Sequence, residues 1–157
     1  MRDTEDVDEI DVVLDILYNP ETDEYAVLEK SQWHQENRDR YNPEKGGYPH
    51  EVPGGGIDLE RPYTEQDIWQ EGLREIDEET SLETAEVEPV SAEGRMEKEQ
   101  DGVHHTFYAA LYHTEETEIE PTSDENKSAQ FVSPEEFYNM LGFNEIWALH
   151  QFHNSLQ

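Results

Sequence analysis

The sequence has no cysteine, and only 10 of its 157 residues are lysine or arginine. Without thiols the chain forms neither disulfides nor thiolate zinc sites, and it has no nucleophilic cysteine for catalysis. So few positive charges disfavour a nucleic-acid groove, because such grooves neutralise phosphates with lysine and arginine. We therefore expect any anionic substrate to be held through metal cations.

Long apolar runs are absent as well. No stretch of about 18 apolar residues is present to cross a bilayer. The first ten residues are acidic, whereas a signal peptide begins basic and then becomes apolar. Because the length suits one hydrophobic core, the sequence predicts a single cytoplasmic domain over residues 1–157 without membrane contact. Its residues 1–10 are expected to form a flexible acidic N-terminus.

Negative charge is plentiful instead. Forty acidic residues give a formal net charge of −30, spread along the whole chain. At molar salt the Debye length is about 3 Å, so repulsion between surface carboxylates is largely screened. This composition indicates a halophilic protein. Disorder is disfavoured, since aromatic and β-branched residues recur in ordered patterns.

Apolar alternation predicts a β-hairpin from residues 12–18 and 25–28. Residues 31–50 have no clear period and contain several prolines and glycines, so they are interpreted as a loop insertion. The acidic stretch 115–125 is expected to be a solvated loop. Later elements are predicted as strands at 85–90, 103–112 and 129–132, a helix starting at Ser133 and a terminal helical stripe at 146–152.

The central segment carries the chemistry. A triple glycine, Gly54 to Gly56, is interpreted as a loop before a helix that Thr64 is expected to cap and that runs to about Thr80. One side of this helix is apolar, and the neighbouring sector is acidic at spacings of three and four residues, with Glu71, Glu75, Glu78 and Glu79. Four like charges repel each other, so a multivalent cation is expected among them. Carboxylate oxygens alone favour Mg²⁺ or Mn²⁺ over zinc.

Residues 74–82 read REIDEETSL. Together with the triple glycine and the capped helix, they resemble the Nudix box, G-x5-E-x7-R-E-U-x-E-E-x-G-U, where U is aliphatic. The resemblance implies an α/β fold with a mixed β-sheet between helices (α/β/α). It also implies a metal-dependent hydrolase that cleaves the diphosphate linkage of a nucleoside diphosphate derivative or nucleotide, with a homodimer as one known arrangement.

Carried over to this chain, the resemblance implies that Glu75, Glu78 and Glu79 are the metal ligands, with Glu78 and Glu79 also catalytic. Arg74 matches the arginine that orients a box glutamate. Gly55 or Gly56 matches the box glycine near substrate and metal, although a purely structural role is an alternative. Some relatives use a glutamate before a late strand as a further ligand or base, and Glu125 is similarly placed.

The chain departs from the box in three ways. Its connector between glycine and Arg74 is longer, and the position of the lone box glutamate holds Gln66, so Glu60, Glu65, Glu71 or no residue at all takes that role. Ser81 replaces the last box glycine and is expected either to adopt a left-handed conformation at about 1 kcal/mol or to end the helix differently. These departures support an alternative function, a catalytically impaired binding or regulatory module.

The 31–50 loop gathers scarce positive charge near aromatic residues. Arg38 and Arg40 can form charge-assisted hydrogen bonds with phosphate, and Trp33 can stack on a base. Lys45, Tyr41 and Tyr48 lie in the same loop. We expect Trp33, Arg38 and Arg40 to bind substrate; the alternative is a loop held by ion pairs to the abundant acids.

Overall fold

A computed structural model describes residues 9–31, 49–100 and 102–152. It opens with the antiparallel strands β1 (Glu9–Asn19) and β2 (Glu24–Lys30), which pair Tyr18 with Tyr25. The turn between them closes on Asn19, whose backbone oxygen accepts from Asp23 at 2.8 Å. Its side-chain oxygen accepts from the backbone of Glu21, also at 2.8 Å. The predicted hairpin is confirmed at its turn, although only Tyr18 and Asn19 of β1 pair with β2.

In the described part of the chain the sheet has seven strands. The strand order is β3-β2-β1-β6-β5, while β4 pairs with β1 and β7 pairs with β2. β1 runs parallel to β6, and the other pairs are antiparallel. The later strands are β3 (His50–Glu51), β4 (Gly54–Gly56), β5 (Val87–Gln100), β6 (Val103–Thr114) and β7 (Asn126–Val132).

β1 has two partners on the same edge, and this splits the sheet. Val12 to Leu14 pair with β4, whereas only Tyr18 and Asn19 pair with β2. Asp15 lies at the fork, where its backbone N–H donates to the carbonyl of Pro53 at 2.9 Å. The split opens the sheet on the side where α1 lies.

Helices cover both faces of the sheet, which confirms the predicted α/β/α architecture. α1 (Glu65–Glu79) lies on one face, and α2 (Pro134–Met140) and α3 (Phe143–His150) lie on the other; a 3-10 turn spans Thr84–Glu86. Alternation along β1 sorts its side chains between two cores. Val13 and Leu17 pack with Ile68 and Ile76 of α1, while Ile16 packs in the core that contains α2 and α3.

Local sequence sets the start of α1. The Thr64 hydroxyl accepts from the backbone N–H of Asp67 at 3.0 Å, and the Asp67 carboxylate accepts from that of Thr64 at 2.9 Å. Apolar packing then holds the helix to the sheet. Burying Ile68 and Ile76 contributes about 1.5–3 kcal/mol each.

The connector before α1 is fastened to β1. The guanidinium of Arg61 pairs with both carboxylate oxygens of Asp11, and the Tyr63 hydroxyl donates to the same carboxylate at 2.6 Å. Arg61 holds the pKa of Asp11 below its usual value, although partial burial opposes this. The extra residues of the connector are therefore accommodated at the sheet and do not displace the helix.

The helix end differs from the left-handed cap of the box pattern. α1 stops at Thr80, whose backbone is extended, and Asp23 is the only non-glycine residue with positive φ in the described ranges. Ser81 instead pairs with the 115–125 segment: its N–H donates to Glu120 at 2.8 Å, and its hydroxyl accepts from the Glu120 N–H at 3.0 Å. The second expectation for Ser81, a different helix end, is the one observed.

Three details correct the expected layout. The triple glycine is strand β4 and not a loop. The 115–125 segment is irregular but not simply solvated, because it buries Ile119 and bonds the end of α1. β1 already includes Glu9, paired with His104, so the last residues of the expected flexible N-terminus lie in the sheet. None of the helices in the described residues has the length and apolar character needed to traverse a bilayer.

Candidate metal and active site

The acidic sector of α1 divides by burial. Glu71 and Glu75 are buried, each with 8% of its surface exposed. Glu79 is partly buried, whereas Glu78 is exposed. Because Glu75 and Glu79 lie one turn apart, the sheet and the glycine strand enclose their carboxyls together.

Strand β4 lies against these two carboxyls. The backbone N–H of Gly54 donates to Glu79 Oε1 at 3.2 Å. A Cβ added at Gly55 would collide with the Glu75 carboxylate, whereas one at Gly56 would meet nothing nearer than the Asp11 oxygen at 3.9 Å. A Cβ at Gly54 would collide with the backbone carbonyl of Val13. Gly54 is therefore required by the pairing of β4 with β1, and Gly55 leaves room for the Glu75 carboxylate.

Gly55→Ala is expected to lower kcat by about 10-fold or more, because the new methyl group displaces Glu75 and small misplacements of catalytic groups are costly. Gly56→Ala is the matched variant and is expected to cost much less. Steady-state kinetics on both proteins test this, with circular dichroism to check folding. Equal losses in the two variants would contradict the assignment of Gly55.

Burial shifts both carboxyls towards their protonated forms. Burial is the main reason that the pKa of Glu79 rises to about 9. The charge of Glu75 raises this pKa further, as do the charges of Glu51 and Asp15, whereas the hydrogen bond from the Gly54 N–H lowers it. Burial likewise raises the pKa of Glu75, opposed mainly by Arg74. A cation bound between these two carboxyls would stabilise their ionised forms, which the protein alone disfavours.

The side chain of Arg74 contacts several glutamates of the acidic sector of α1. Its guanidinium donates to Glu71 at 2.9 Å, to Glu78 at 3.2 Å and to Glu75 at 3.3 Å. It also reaches the carbonyl of Gly56 at 3.4 Å. These contacts place Arg74 where it can orient two of the glutamates expected to bind metal.

The structure distinguishes the three candidates for the missing box glutamate. Glu60 and Glu65 are exposed. Glu71 is buried, accepts from the backbone N–H of Asp58 at 3.2 Å and pairs with Arg74. Of the three, only Glu71 links the connector to the acidic helix face.

A further buried acid lies beneath α1. Asp15 is fully buried, and within the described ranges neither of its carboxylate oxygens has a hydrogen-bond partner. The Tyr112 hydroxyl donates to the Trp69 carbonyl at 3.2 Å and also lies close enough to Asp15 to lower the pKa of that carboxyl, against the larger effect of burial. A Cβ at Gly72 would collide with both Tyr112 and Asp15, so a glycine is required there. Burial, with the charge of Glu75, raises the pKa of Asp15.

In the residues that the structure describes, no three acidic or histidine side chains are grouped closely enough to hold a metal as they stand. The donor set nevertheless fits a hard divalent cation, because Glu75, Glu78 and Glu79 supply carboxylate oxygens. The buried Asp15 nearby adds two oxygens without hydrogen-bond partners. Binding requires deprotonation of Glu75 and Glu79 and a turn of Glu78 away from Arg74.

The remaining expected site residues are Glu125 and three residues of the 31–50 loop. Glu125 is exposed; its N–H donates to the Ser123 hydroxyl at 3.2 Å, and its carbonyl accepts from Ser31 at 2.8 Å. Its part as a ligand or base stays a prediction. Trp33, Arg38 and Arg40, with their loop neighbours Lys45, Tyr41 and Tyr48, lie outside the described residues.

Sequence reasoning missed the buried Asp15. It had a usable signal, because it is the one acid within the otherwise apolar stretch from Val12 to Tyr18.

Comparison with known proteins adds fold-level information. No family model matches the chain, and no curated protein matches it. Solved structures do. A C. elegans Ap4A hydrolase in a binary complex is 17% identical with a TM-score of 0.67, over 94% of this chain and 97% of that one. A MutT protein from Methanosarcina mazei Go1 is 17% identical with a TM-score of 0.65, over 97% and 99%. The NUDIX domain of Shewanella oneidensis NrtR, complexed with ADP ribose, is 12% identical with a TM-score of 0.67, over 99% and 93%.

Proposed function

We propose that this chain, whose fold is that of the Nudix hydrolases, cleaves the diphosphate linkage of a nucleoside diphosphate derivative or nucleotide with the help of Mg²⁺ or Mn²⁺. The observation that carries the proposal is the pair Glu75 and Glu79, enclosed side by side under β4 with carboxyls whose pKa values are raised mainly by burial. Two of the similar structures, an Ap4A hydrolase and a NUDIX domain complexed with ADP ribose, support a nucleotide-type substrate.

Glu75, Glu78 and Glu79 are the proposed metal ligands. A divalent cation held by these carboxylates would neutralise the charge of a diphosphate and would make a water molecule easier to deprotonate. Arg74 orients Glu75 and Glu78 through the contacts at 3.3 and 3.2 Å. Because Gly54 and Gly55 have no side chains, β4 lies close to the carboxylates of Glu75 and Glu79 without blocking the approach of a diphosphate.

The proposed reaction is hydrolytic. A water oxygen forms a bond to one phosphorus, the bond from that phosphorus to the bridging oxygen breaks, and a phosphate-containing group leaves with the bridging oxygen. The proton of the attacking water passes to a carboxylate, for which Glu125 is the proposed acceptor. Trp33, Arg38 and Arg40 are the proposed contacts to the base and phosphates of the substrate.

The test is a panel of nucleoside diphosphate derivatives and dinucleoside polyphosphates incubated with the protein in molar KCl, since the net charge of −30 requires screening. Mg²⁺-dependent release of phosphate-containing products from at least one member is expected, with none in EDTA.

A binding or regulatory module is the second candidate, favoured by Gln66 at the position of the spaced glutamate. Saturable, Mg²⁺-dependent binding of several panel members without turnover of any would favour this module and reject the hydrolase.

A further inference from the structure

Glu51 lies on the same face of the sheet as α1. Strand register pairs Glu51 with Leu28 and Leu28 with Ala129. Ala129 packs against the core that contains Ile68 and Ile76 of α1. Because directly paired residues project to the same face, the side chain of Glu51 projects towards the acidic helix. It does so from the strand that leads into Gly54.

Glu51 has a fixed orientation. The Nδ2 atom of Asn126 donates to Glu51 Oε2 at 2.9 Å, which links β7 to β3. Asn126 is itself buried, with 6% of its surface exposed, and its Oδ1 has no hydrogen-bond partner within the described ranges. A buried amide oxygen without a partner is costly and requires an explanation. A cation, or water in its hydration shell, would supply the missing partner.

The chain path also brings Glu51 near the proposed ligands. Glu51 lies three residues before Gly54, whose N–H donates to Glu79 Oε1 at 3.2 Å. The segment that carries Glu51 therefore leads directly to the backbone that contacts the acidic helix face.

We infer that Glu51 is a further metal-binding carboxylate of this site and that Asn126 positions it. The inference rests on the proposed function, which it extends from one helix to a site shared between α1, β3 and β7. The chemistry is that of a hard divalent cation, which takes several carboxylate and amide oxygens. Asn126 Oδ1 adds a neutral oxygen beside the charged ones.

The experiment measures Mn²⁺ binding directly, by the electron paramagnetic resonance signal of free Mn²⁺ during titration. Glu51→Gln keeps an acceptor for Asn126 and removes only the charge, and it is expected to raise the Mn²⁺ Kd by about 10-fold or more. Asn126→Ala keeps the charge and loses its orientation, and a smaller increase is expected. The Mg²⁺ concentration for half-maximal turnover should rise in the same order.

Glu29→Gln is the matched control. Glu29 is also a partly buried strand carboxylate with a side-chain hydrogen bond, from Ser128 at 2.9 Å, but it pairs with His50 and so projects to the face opposite Glu51. Glu29→Gln changes the net charge by the same amount as Glu51→Gln and is expected to leave the Mn²⁺ Kd unchanged. Thermal unfolding of each variant checks that the fold is intact; if Glu51→Gln fails to fold, Asn126→Ala decides the test.

The outcomes separate the inference from the function. Wild-type Mn²⁺ affinity in Glu51→Gln, or an equal loss in Glu29→Gln, would overturn the inference while a hydrolytic wild type keeps the proposed function. With a folded Asn126→Ala as the deciding variant, wild-type affinity there would do the same. A wild-type protein that neither binds Mn²⁺ nor turns over any substrate would remove both.

Discussion

Glu79→Gln is expected to lower kcat by about 100-fold or more while the protein stays folded, because the variant loses a charged ligand at the centre of the proposed site. Glutamine fills the same volume and still accepts from the Gly54 N–H. In the metal-free protein the pKa of Glu79 is about 9, so a neutral side chain already occupies this position near neutral pH. Folding should therefore tolerate the change and turnover should not.

The measurement is steady-state turnover of the best panel substrate at saturating Mg²⁺, with circular dichroism on the same samples. Glu78→Gln is expected to behave similarly. Glu88→Gln serves as the control, since Glu88 is an exposed acid on β5, a strand at the other end of the sheet order from β3. Turnover of Glu79→Gln within a few-fold of wild type would reject Glu79 as a ligand.

Without metal, the protein is expected to lose stability as the pH rises, and Mg²⁺ is expected to restore it. Glu79 keeps its proton up to about pH 9 in the folded protein, but it releases the proton near its usual pKa of 4.5 when unfolded. Between these values the folded state binds more protons, so the free energy of unfolding falls with rising pH. The raised pKa of Asp15 acts in the same direction. Mg²⁺ binds the deprotonated carboxylates and so stabilises the folded state most at high pH.

Thermal unfolding in molar KCl, followed from about pH 5 to pH 9 with EDTA or with Mg²⁺, measures this coupling. The increase in Tm caused by Mg²⁺ should grow with pH in the wild type. Glu79→Gln cannot titrate at this position, so its Tm in EDTA should fall less steeply. Parallel curves for the two proteins would contradict the raised pKa of Glu79.

Locally encoded features were predictable from the sequence. The Thr64 cap depends on Asp67 three residues away, and the hairpin depends on alternation within each strand. The spacing of Glu75, Glu78 and Glu79 places them on one helical sector wherever the helix packs. Each of these features follows from contacts between near neighbours in the chain.

Features that depend on distant pairing were not predictable. Ser81 ends the helix with Glu120 as its partner, far along the sequence, and Glu51 reaches the site only through the register of β3 on β2. The triple glycine suggested a loop, because glycine disfavours strands, yet close approach of β4 to β1 and Glu75 requires residues without side chains. Asp15 is buried because α1, far along the sequence, packs over β1 beside it.

The segment that follows β6 also limits redesign of this protein. The Thr122 N–H donates to the carbonyl of Glu79 at 3.0 Å, and its hydroxyl donates to that of Glu78 at 2.8 Å. An engineer who shortened this acidic stretch to reduce surface charge would thereby release the last turn of the helix bearing both glutamates. Replacing exposed acids such as Glu115 and Glu118 one at a time would reduce the charge while keeping the two hydrogen bonds from Thr122 to α1.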